Sequence, residues 1–571
     1  MKLETFFEHF DLLAESPNGV QKLRELILDL AVRGKLVPQD ANDEPAAVLL
    51  ERIKKEKERL VKEGKVKKEK SLPAIKDDEI PFDLPIGWEW EMLGNLAKFI
   101  DYRGKTPQKT NSGVKLITAK NVRMGYIKDD PKEYISEETY HQWMTRGFPK
   151  YGDLLFTTEA PLGNIAQLLT TEKIALAQRV IDFQIFADLF SDYLKFAFMS
   201  PIMQDFIRNK ATGMTAEGIK AAKLKLILVP LPPLNEQKRI VTKVDELMKL
   251  CDELEARQKK KRETRILINN AALNKLLTAD TPETFTKNWQ CIGDNFDILY
   301  SAPENIGKLR QAILQLAVMG KLVPQDANDE PAAVLLERIK KEKERLVKEG
   351  KVKKEKSLPA IKDDEIPYDL PIGWEWVRLG ELAKVIEYGT SEKSSELRDD
   401  VPVFRMNNVQ EGKIIFENLK YVSATIKDLP RLYLQHGDLL FNRTNSYELV
   451  GKTGVFKGIS NQYTFASYLI KISLMLEYIS PDFINTAINS AYFRQTQINP
   501  EITQQCGQAN FNGTKLKNTL IPLSPLNEQK RIVTQVDKLM KLCDELETKL
   551  TQTQTESEKI INAAVKQLLT V

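Results

Sequence analysis

The chain has 571 residues, 42% hydrophobic and 29% charged, a composition typical of a globular protein with long exposed helices. Its 84 basic and 80 acidic residues give a net charge of +4, too small to indicate nucleic-acid binding by itself. Four dispersed cysteines and three histidines argue against a disulfide scaffold, a zinc site and a histidine-centred catalytic site. No apolar run of 18 residues and no amino-terminal signal sequence occur, so we expect a cytoplasmic protein.

The first predicted element in chain order is a helix over residues 43–63. Asp43 is its expected N-cap, Pro45 lies in its first turn and Gly64 is its stop. The basic run 54–70 that overlaps its end is interleaved with glutamates. That pattern favours a solvated helix and charged linker, with a phosphate-binding arm as the alternative.

Residues 234–279 contain no proline or glycine and predict a single helix of about 45 residues, roughly 65–70 Å long. A second such helix ends the chain. Both carry apolar residues at heptad spacing, which predicts an antiparallel coiled coil between them within one chain. Cys251 and Cys543 lie on this seam and are interpreted as small buried hydrophobic residues. The seam residues are Ile240, Val244, Leu247, Cys251 and Leu254, and Ile532, Val536, Leu539, Cys543 and Leu546.

The sequence is an internal repeat. Gly34–Trp90 and Gly320–Trp376 differ at one of 57 positions, and Pro233–Glu255 matches Pro525–Glu547 at 21 of 23. The segments between these blocks, Gly87–Pro232 and Gly373–Ser524, have diverged almost completely. Two like frames around two unlike inserts indicate one repeated binding surface and two specificities. A recent duplication without that meaning is the alternative.

Each insert is predicted to be an α+β domain of about 150 residues. Alternating patterns predict strands at 153–157 and 438–442, and helices are expected over 193–207 and 481–493. The fold class is therefore α+β, with two such domains separated by two long helices.

Catalytic motifs are missing from the sequence. No dinucleotide-binding glycine fingerprint occurs, and Gly104–Thr106 and Gly451–Thr453 lack the upstream glycine of a phosphate-binding loop. The Asn/Asp-Pro-Pro-aromatic motif of amino-group DNA methyltransferases is also absent. We expect no catalytic residues, no metal site and no cofactor in this chain.

Polar clusters in the inserts are the candidate DNA-binding residues. Arg, Asn, Gln and Thr are the side chains that contact base edges and phosphates, although ordinary polar loops would look the same. In the first insert the candidates are Tyr102, Arg103, Lys105, Thr106, Lys120, Asn121, Arg123, Thr157, Thr158, Gln178 and Arg179. In the second they are Tyr388, Thr390, Arg405, Asn407, Asn408, Asn442, Arg443, Thr444, Asn445, Ser446, Gln508 and Asn510.

The order of these parts resembles the specificity subunits of type I restriction–modification enzymes over essentially the whole chain. Three motifs, each present twice, carry the resemblance. They are Pro-Leu-Asn-Glu-Gln-Lys-Arg-Ile-Val at 233–241 and 525–533, Leu-Pro-Ile-Gly-Trp at 84–88 and 370–374, and Gly-Asp-Leu-Leu-Phe at 152–156 and 437–441. One departure is that Thr157-Thr158-Glu159 stands where the second insert has Asn442-Arg443-Thr444.

The resemblance implies a non-catalytic subunit that reads an asymmetric, bipartite DNA site with two target recognition domains. It implies a rough internal two-fold, with the long helices as a ruler, two docked methyltransferase subunits and separate restriction subunits. S-adenosylmethionine, ATP and Mg²⁺ would then be bound by the partners. The implied domains are two frames (1–86, 280–372), two recognition domains (87–232, 373–524) and two spacer helices (233–279, 525–571).

Two other functions stay open from the sequence. A stand-alone DNA-binding regulator would use the same domains without methyltransferase partners. An enzyme in its own right, either methyltransferase or nuclease, would need motifs that are missing.

Overall fold

A computed structural model describes residues 18–102, 107–187, 189–212, 217–396, 400–505 and 508–570. It has the mixed α+β architecture that the sequence predicts. The chain divides into two compact units, residues 1–260 with 553–571, and residues 261–552. Within the described residues, no helix is long and apolar enough to cross a membrane.

The first unit consists of a helical frame followed by an α+β domain. Its helices are α1 (Gly19–Val32), α2 (Ala46–Lys62), α3 (Leu93–Leu96), α4 (Glu137–Trp143), α5 (Ser191–Met199), α6 (Pro201–Lys210) and α7 (Ala221–Leu224). Its strands are β1 (Glu89–Met92), β2 (Ala97–Asp101), β3 (Val114–Ile117), β4 (Tyr134–Ile135), β5 (Leu154–Thr158), β6 (Leu162–Gln167), β7 (Ile174–Leu176), β8 (Val180–Ile185) and β9 (Leu228–Leu231). The first long helix, α8 (Leu234–Leu277), follows directly.

The second unit has the same order of parts. Its helices are α9 (Pro282–Asp294), α10 (Phe296–Leu299), α11 (Pro303–Val318), α12 (Ala332–Lys348), α13 (Leu379–Leu382), α14 (Pro481–Asn489), α15 (Ala491–Phe493) and α16 (Gly513–Asn518). Its strands are β10 (Glu375–Arg378), β11 (Ala383–Tyr388), β12 (Val401–Phe404), β13 (Val409–Gln410), β14 (Lys413–Ile414), β15 (Lys420–Val422), β16 (Leu439–Asn442), β17 (Thr444–Asn445), β18 (Thr453–Val455), β19 (Thr464–Phe465), β20 (Leu469–Leu474), β21 (Thr503–Gln505), β22 (Gln508–Asn510) and β23 (Leu520–Leu523). The second long helix is α17 (Leu526–Thr570).

The helix predicted with Asp43 as its N-cap begins two residues later than expected. Pro45 is the N-cap residue of α2, and Asp43 does not cap the helix. The Asp43 carboxylate instead accepts a hydrogen bond from Arg239 Nη2 at 2.7 Å, on the first turns of α8. Gly64 follows the helix with φ +70°, as its predicted role as a stop requires. Asp43 thus joins the frame to the long helix.

The helices predicted over 193–207 and 481–493 are both interrupted. In the first, Pro201 starts a new helix because it lacks the amide hydrogen needed to continue the old one, and Ser200 caps the new helix. In the second, Ser490 plays the same part, since its hydroxyl accepts from the Phe493 amide. Each break turns the chain inside the domain.

Both α+β domains are built on a mainly antiparallel sheet beside a smaller one. In the first unit the larger sheet has the order β2-β8-β5-β6, and the smaller has β4-β3-β7 with β3 and β7 parallel. In the second unit the orders are β11-β20-β16-β18-β14-β13 and β15-β12-β19, with β12 and β19 parallel. The parallel pair matters for the site, because its two strands end on the same side.

A tryptophan and a glutamate attach each domain to the start of its long helix. Trp88 Nε1 donates to Glu236 Oε2 at 3.0 Å inside the core. In the second unit Trp374 Nε1 donates to Glu528 Oε2 at 2.9 Å. Burial raises the pKa of both glutamates, and the tryptophan hydrogen bonds oppose that rise. These bonds join two of the repeated motifs to each other.

The first half of each long helix packs against the frame helix of its own unit. Arg24 of α1 donates to Asp252 and contacts Glu255, and Arg310 of α11 pairs in the same way with Asp544 and Glu547. Seam residues of α8 are buried in the core that includes α1. The heptad spacing alone did not identify this frame helix as a neighbour. The buried seam residues are Ile240, Val244, Leu247, Cys251, Leu254, Ile532, Val536 and Cys543, while Leu539 and Leu546 are half-buried.

The last turns of each long helix belong to the opposite unit. Lys35 Nζ donates to Leu569 O at 3.3 Å in the first unit. Lys321 Nζ donates to Leu277 O and Ala279 O, at 3.1 and 2.9 Å, in the second. A lysine near a helix C-terminus satisfies carbonyls that have no partner within the helix. The first unit therefore includes the end of α17, and the second unit includes the end of α8.

Asn269 of α8 is a buried polar residue whose amide nitrogen and oxygen have no partner among the described residues. Ile561 occupies the matching position of α17 and is also buried. An unsatisfied buried amide costs about 1–3 kcal/mol. Asn269→Ile is expected to raise the thermal unfolding temperature by removing that cost.

The reverse substitution in the other helix is the matched control. Ile561→Asn should lower the unfolding temperature, since it places an amide where an apolar side chain is now packed. A lower unfolding temperature for Asn269→Ile would contradict the argument, because it would mean that the Asn269 amide is satisfied in solution.

Candidate nucleic-acid interface

Candidate residues of the first domain lie together where the parallel strands β3 and β7 end. Ala177 N donates to Ile117 O at 2.9 Å, which places the turn after β3 beside residues 177–179. Lys120 and Arg179 are exposed there. Arg179 Nη2 lies 3.5 Å from Glu159 Oε1. Positive and negative groups therefore share one edge of the domain.

Asn121 holds the turn after β3 in shape and is itself fully buried. Its Oδ1 accepts from the Thr118 amide and hydroxyl, and its Nδ2 donates to Lys128 O and Pro131 O. Asn408 makes the equivalent bonds in the second domain, accepting from Arg405 N and donating to Ile415 O and Glu417 O. Both asparagines position their turns from within.

The second domain brings its candidates together in the same way, after β12 and β19. Ala466 N donates to Phe404 O at 2.9 Å, so residues 405–408 lie beside residues 466–468. Arg443 reaches this edge from the end of β16, and its Nη1 donates to Ser467 O at 3.2 Å. Residues from three separate parts of the sequence thus form one surface.

Tyr388 and Arg443 form a stacked pair on this surface. The Arg443 guanidinium carbon lies 4.9 Å from the centre of the Tyr388 ring. The Tyr388 hydroxyl accepts from Gly513 N at 2.7 Å, which fixes the ring. The Nε of Arg443 has no acceptor among the described residues. Stacking and the bond to Ser467 O orient the guanidinium, and its Nε is shielded from solvent.

The same backbone hydrogen bonds support this edge in both domains. Thr158 N donates to Arg179 O at 2.9 Å, and Ile219 N donates to Thr158 O at 3.0 Å. In the second domain Arg443 N donates to Tyr468 O at 3.0 Å, and Phe511 N donates to Arg443 O at 2.9 Å. The backbone pattern is shared, whereas the side chains attached to it differ.

The comparisons with known proteins agree on one family. The family model described as type I restriction modification DNA specificity domain matches residues 85–263 and 371–554. The specificity subunit of the type I restriction enzyme EcoAI of Escherichia coli is 35% identical, over 92% of this chain and 90% of that protein. The EcoEI specificity subunit of Escherichia coli is 32% identical, over 94% and 91%.

The chain belongs to the type I restriction–modification DNA specificity family. It is a specificity subunit, the DNA-recognition component of such a system and not a catalytic one. A solved chain from a study of the assembly and conformational transition of a type I system is 19% identical with a TM-score of 0.50, covering 86% of this chain and 99% of that one. That likeness shows a shared fold. The alternative of a stand-alone regulator has no support in these matches.

Eight candidate residues of this specificity subunit have buried side chains. Their polar groups are used largely within the domain, as Thr444 Oγ1 is in its 2.8 Å hydrogen bond to Asn510 Oδ1 and Thr390 Oγ1 in its bond to Asp428. In this conformation the eight residues stabilise the edge of each domain from inside, and their side chains do not reach the surface. The eight are Tyr102, Asn121, Thr157, Thr158, Thr390, Asn408, Asn442 and Thr444.

Twelve candidates are exposed or half-buried, and three lie outside the described residues. The exposed residues are Lys120, Arg179, Tyr388, Asn407, Ser446 and Gln508. The half-buried residues are Arg123, Gln178, Arg405, Arg443, Asn445 and Asn510. Those outside the described residues are Arg103, Lys105 and Thr106.

The candidates predicted from the sequence omit one residue at the edge of each domain. Glu159 pairs with Arg179, and Tyr468 is exposed at the position that matches Arg179 in the second domain. Glu159 directly follows β5, and Tyr468 lies three residues after β19. Only the hydrogen bonds from Thr158 and Arg443 reveal that each residue lies at the edge of its domain. The departure at Thr157-Thr158-Glu159 was the available signal for Glu159.

The two domains differ in charge inside the larger sheet as well. Asp182 is fully buried on β8 with no hydrogen-bond donor to its carboxylate among the described residues. Burial, and then the nearby Asp153 carboxylate, raise the pKa of Asp182 well above its usual range. In the second domain Lys471 stands at this position and pairs with Glu387 at 2.9 Å. A neutral Asp182 is the form that the folded first domain favours.

Asp182→Asn is therefore expected to stabilise the protein at neutral pH. A carboxyl whose pKa is raised by folding lowers stability as pH rises from its unfolded value near 4 through its folded value. The asparagine variant should unfold at a higher temperature than the parent at pH 7, and the difference should shrink towards pH 4. Thermal unfolding from pH 4 to 8 measures it.

Asp438→Asn is the contrasting control. Burial raises the pKa of Asp438 as well, but its carboxylate accepts from Ser473 Oγ at 2.6 Å and from the Gln435 amide at 2.8 Å, and loss of these bonds should destabilise the second domain. A destabilised Asp182→Asn protein at pH 7 would show instead that Asp182 is ionised and paired.

Proposed function

We propose that this specificity subunit reads an asymmetric, bipartite DNA site, one half with each recognition domain. One observation carries the proposal. The edges of the two domains have the same backbone hydrogen bonds but carry different side chains. Arg179, Glu159 and Lys120 occupy the first edge. Tyr388, Arg443 and Tyr468 occupy the second. Like scaffolds with unlike donors and acceptors are suited to unlike half-sites.

The side chains at each edge suit base contacts of different kinds. Arg443 carries an oriented guanidinium, which can donate two hydrogen bonds to guanine. Asn445 and Asn510 have amides of the kind that pair with adenine. In the first domain Glu159 can accept from the amino group of cytosine, and Lys120 can contact phosphate or guanine.

The long helices act as the ruler that sets the distance between the half-sites. We assign them to an antiparallel coiled coil with an approximate internal two-fold. Leu568 of α17 is buried in the same core as the seam of α8, and Leu276 of α8 in the same core as the seam of α17. These contacts and the matched lysine bonds at Leu569 and Leu277 support this assignment. The domain boundaries at 86, 232, 279, 372 and 524 belong to the same proposal.

The repeated frames each bind one methyltransferase subunit in this account. Ile86 and Ile372, in the repeated Leu-Pro-Ile-Gly-Trp motif, are 99% and 98% exposed. A fully exposed isoleucine in both of two near-identical frames favours two copies of one partner. Restriction subunits would complete the assembly. S-adenosylmethionine, ATP and Mg²⁺ would be bound by the partners, in the cytoplasm.

Exchanging one recognition domain tests the bipartite reading. Residues 87–232 are replaced by the corresponding segment of a family member of known specificity, and adenine methylation is mapped in cells that carry the cognate methyltransferase. One half of the methylated motif should change, because only one edge has changed, while the other half and the gap stay the same. A motif altered in both halves, or in neither, would contradict the assignment.

Arg443→Ala tests the second edge. Loss of a bidentate base contact should cost about 1–3 kcal/mol of binding and relax one position of the site. Binding of the subunit with its methyltransferase partner to a panel of single-base variants measures both effects. Arg443→Lys is the comparison variant, because lysine keeps the positive charge but cannot donate the two parallel hydrogen bonds of a guanidinium. Equal weakening on every sequence would identify Arg443 as a phosphate contact.

A further inference from the structure

The middle of the first long helix carries a strongly basic stretch. Residues 257–265 of α8 contain six basic residues and one acidic residue. The matching residues of α17, 549–557, contain one of each. The basic residues are Arg257, Lys259, Lys260, Lys261, Arg262 and Arg265.

The helices α8 and α17 are otherwise equivalent and differ in the charge of this stretch. Glu255 matches Glu547 on one side of the stretch, and Leu276-Leu277 matches Leu568-Leu569 on the other, at the same offset of 292 residues. Both helices run through the stretch without a break. No insertion therefore accounts for the change, and the helical geometry does not require it.

Most of these basic side chains face solvent. Arg257, Lys259, Lys260, Lys261 and Arg262 are exposed. Arg262 pairs with Glu304, and Lys261 also has an interaction within the chain, while Glu255, the nearest acidic residue before the stretch, is used by Arg24. The stretch thus keeps a local excess of positive charge.

The chemistry of the stretch fits phosphates better than a protein surface. Residues 257–265 include no apolar side chain, and four consecutive basic residues at about 100° per residue point to most sides of the helix. Protein interfaces are depleted of lysine and depend on buried apolar and aromatic anchors. Binding to a phosphate backbone needs only accessible cations.

We propose that residues 257–265 of α8 contact the phosphate backbone of the DNA between the two half-sites. This inference rests on the proposed bipartite reading. The stretch starts 23 residues after Leu234, where α8 leaves the first recognition domain, about 35 Å along the helix. DNA between two half-sites is not read by sequence, so it offers a protein its phosphates. Because the matching stretch of α17 has no excess of positive charge, we expect this contact from α8 only.

The experiment replaces two lysines by the residues that α17 has at the same positions. Lys259→Thr with Lys260→Gln keeps side chains that a long helix of this chain already accommodates. The subunit is assayed with its methyltransferase partner on duplex DNA that carries the methylated site, at several salt concentrations. The slope of log K against log salt should fall by about 0.9 for each lost phosphate contact, up to about 1.8.

The control is Lys538→Gln with Lys541→Gln, two exposed lysines of α17, which removes the same charge from the other long helix. Its slope should equal that of the parent. The base preferences of the α8 variant should be unchanged, because no base contact is removed. An unchanged slope for the α8 variant would overturn the inference, and so would loss of the methyltransferase partner without a change in slope. Failure of the parent complex to prefer the bipartite site would instead contradict the proposed function.

Discussion

The buried hydrogen bond between a tryptophan and a glutamate is the contact on which each half of the molecule depends. Trp88 lies directly before β1, and Glu236 lies in the first turn of the long helix. The bond from Arg239 to Asp43 fixes the frame to the same turns. A recognition domain attached to the first turn of a stiff helix has a defined direction. The ruler between two half-sites that we propose needs that property.

The molecule separates what is repeated from what is specific. The motif residues Trp88 and Glu236, and Asn121 of the first insert, form buried hydrogen bonds that recur in the second unit at Trp374, Glu528 and Asn408. The side chains that the two edges present to solvent do not recur. Because the scaffold bonds are made by the backbone and by buried side chains, the exposed residues are free to differ. This arrangement lets one family fold serve many DNA sites.

Much of the fold was predictable from the sequence, and the site was predictable only in part. The long helices follow from 44 and 45 residues without a helix breaker, and the strands at Leu154 and Leu439 follow from alternation. Composition could not show that the Asn121 and Asn408 amides are satisfied inside their turns. Nor could it show that Arg443 meets Tyr388, because those residues are 55 positions apart and join only through a shared sheet.

The central claim is that one chain with two unlike recognition domains on like scaffolds specifies a two-part DNA site. A long-read adenine methylome of the source cells, with and without this gene, tests it most directly. The account predicts that a single asymmetric motif, two short parts with a fixed gap, is methylated only when the gene is present. In cells with an active cognate methyltransferase, an unchanged methylome, or loss of a symmetric motif without a gap, would contradict it.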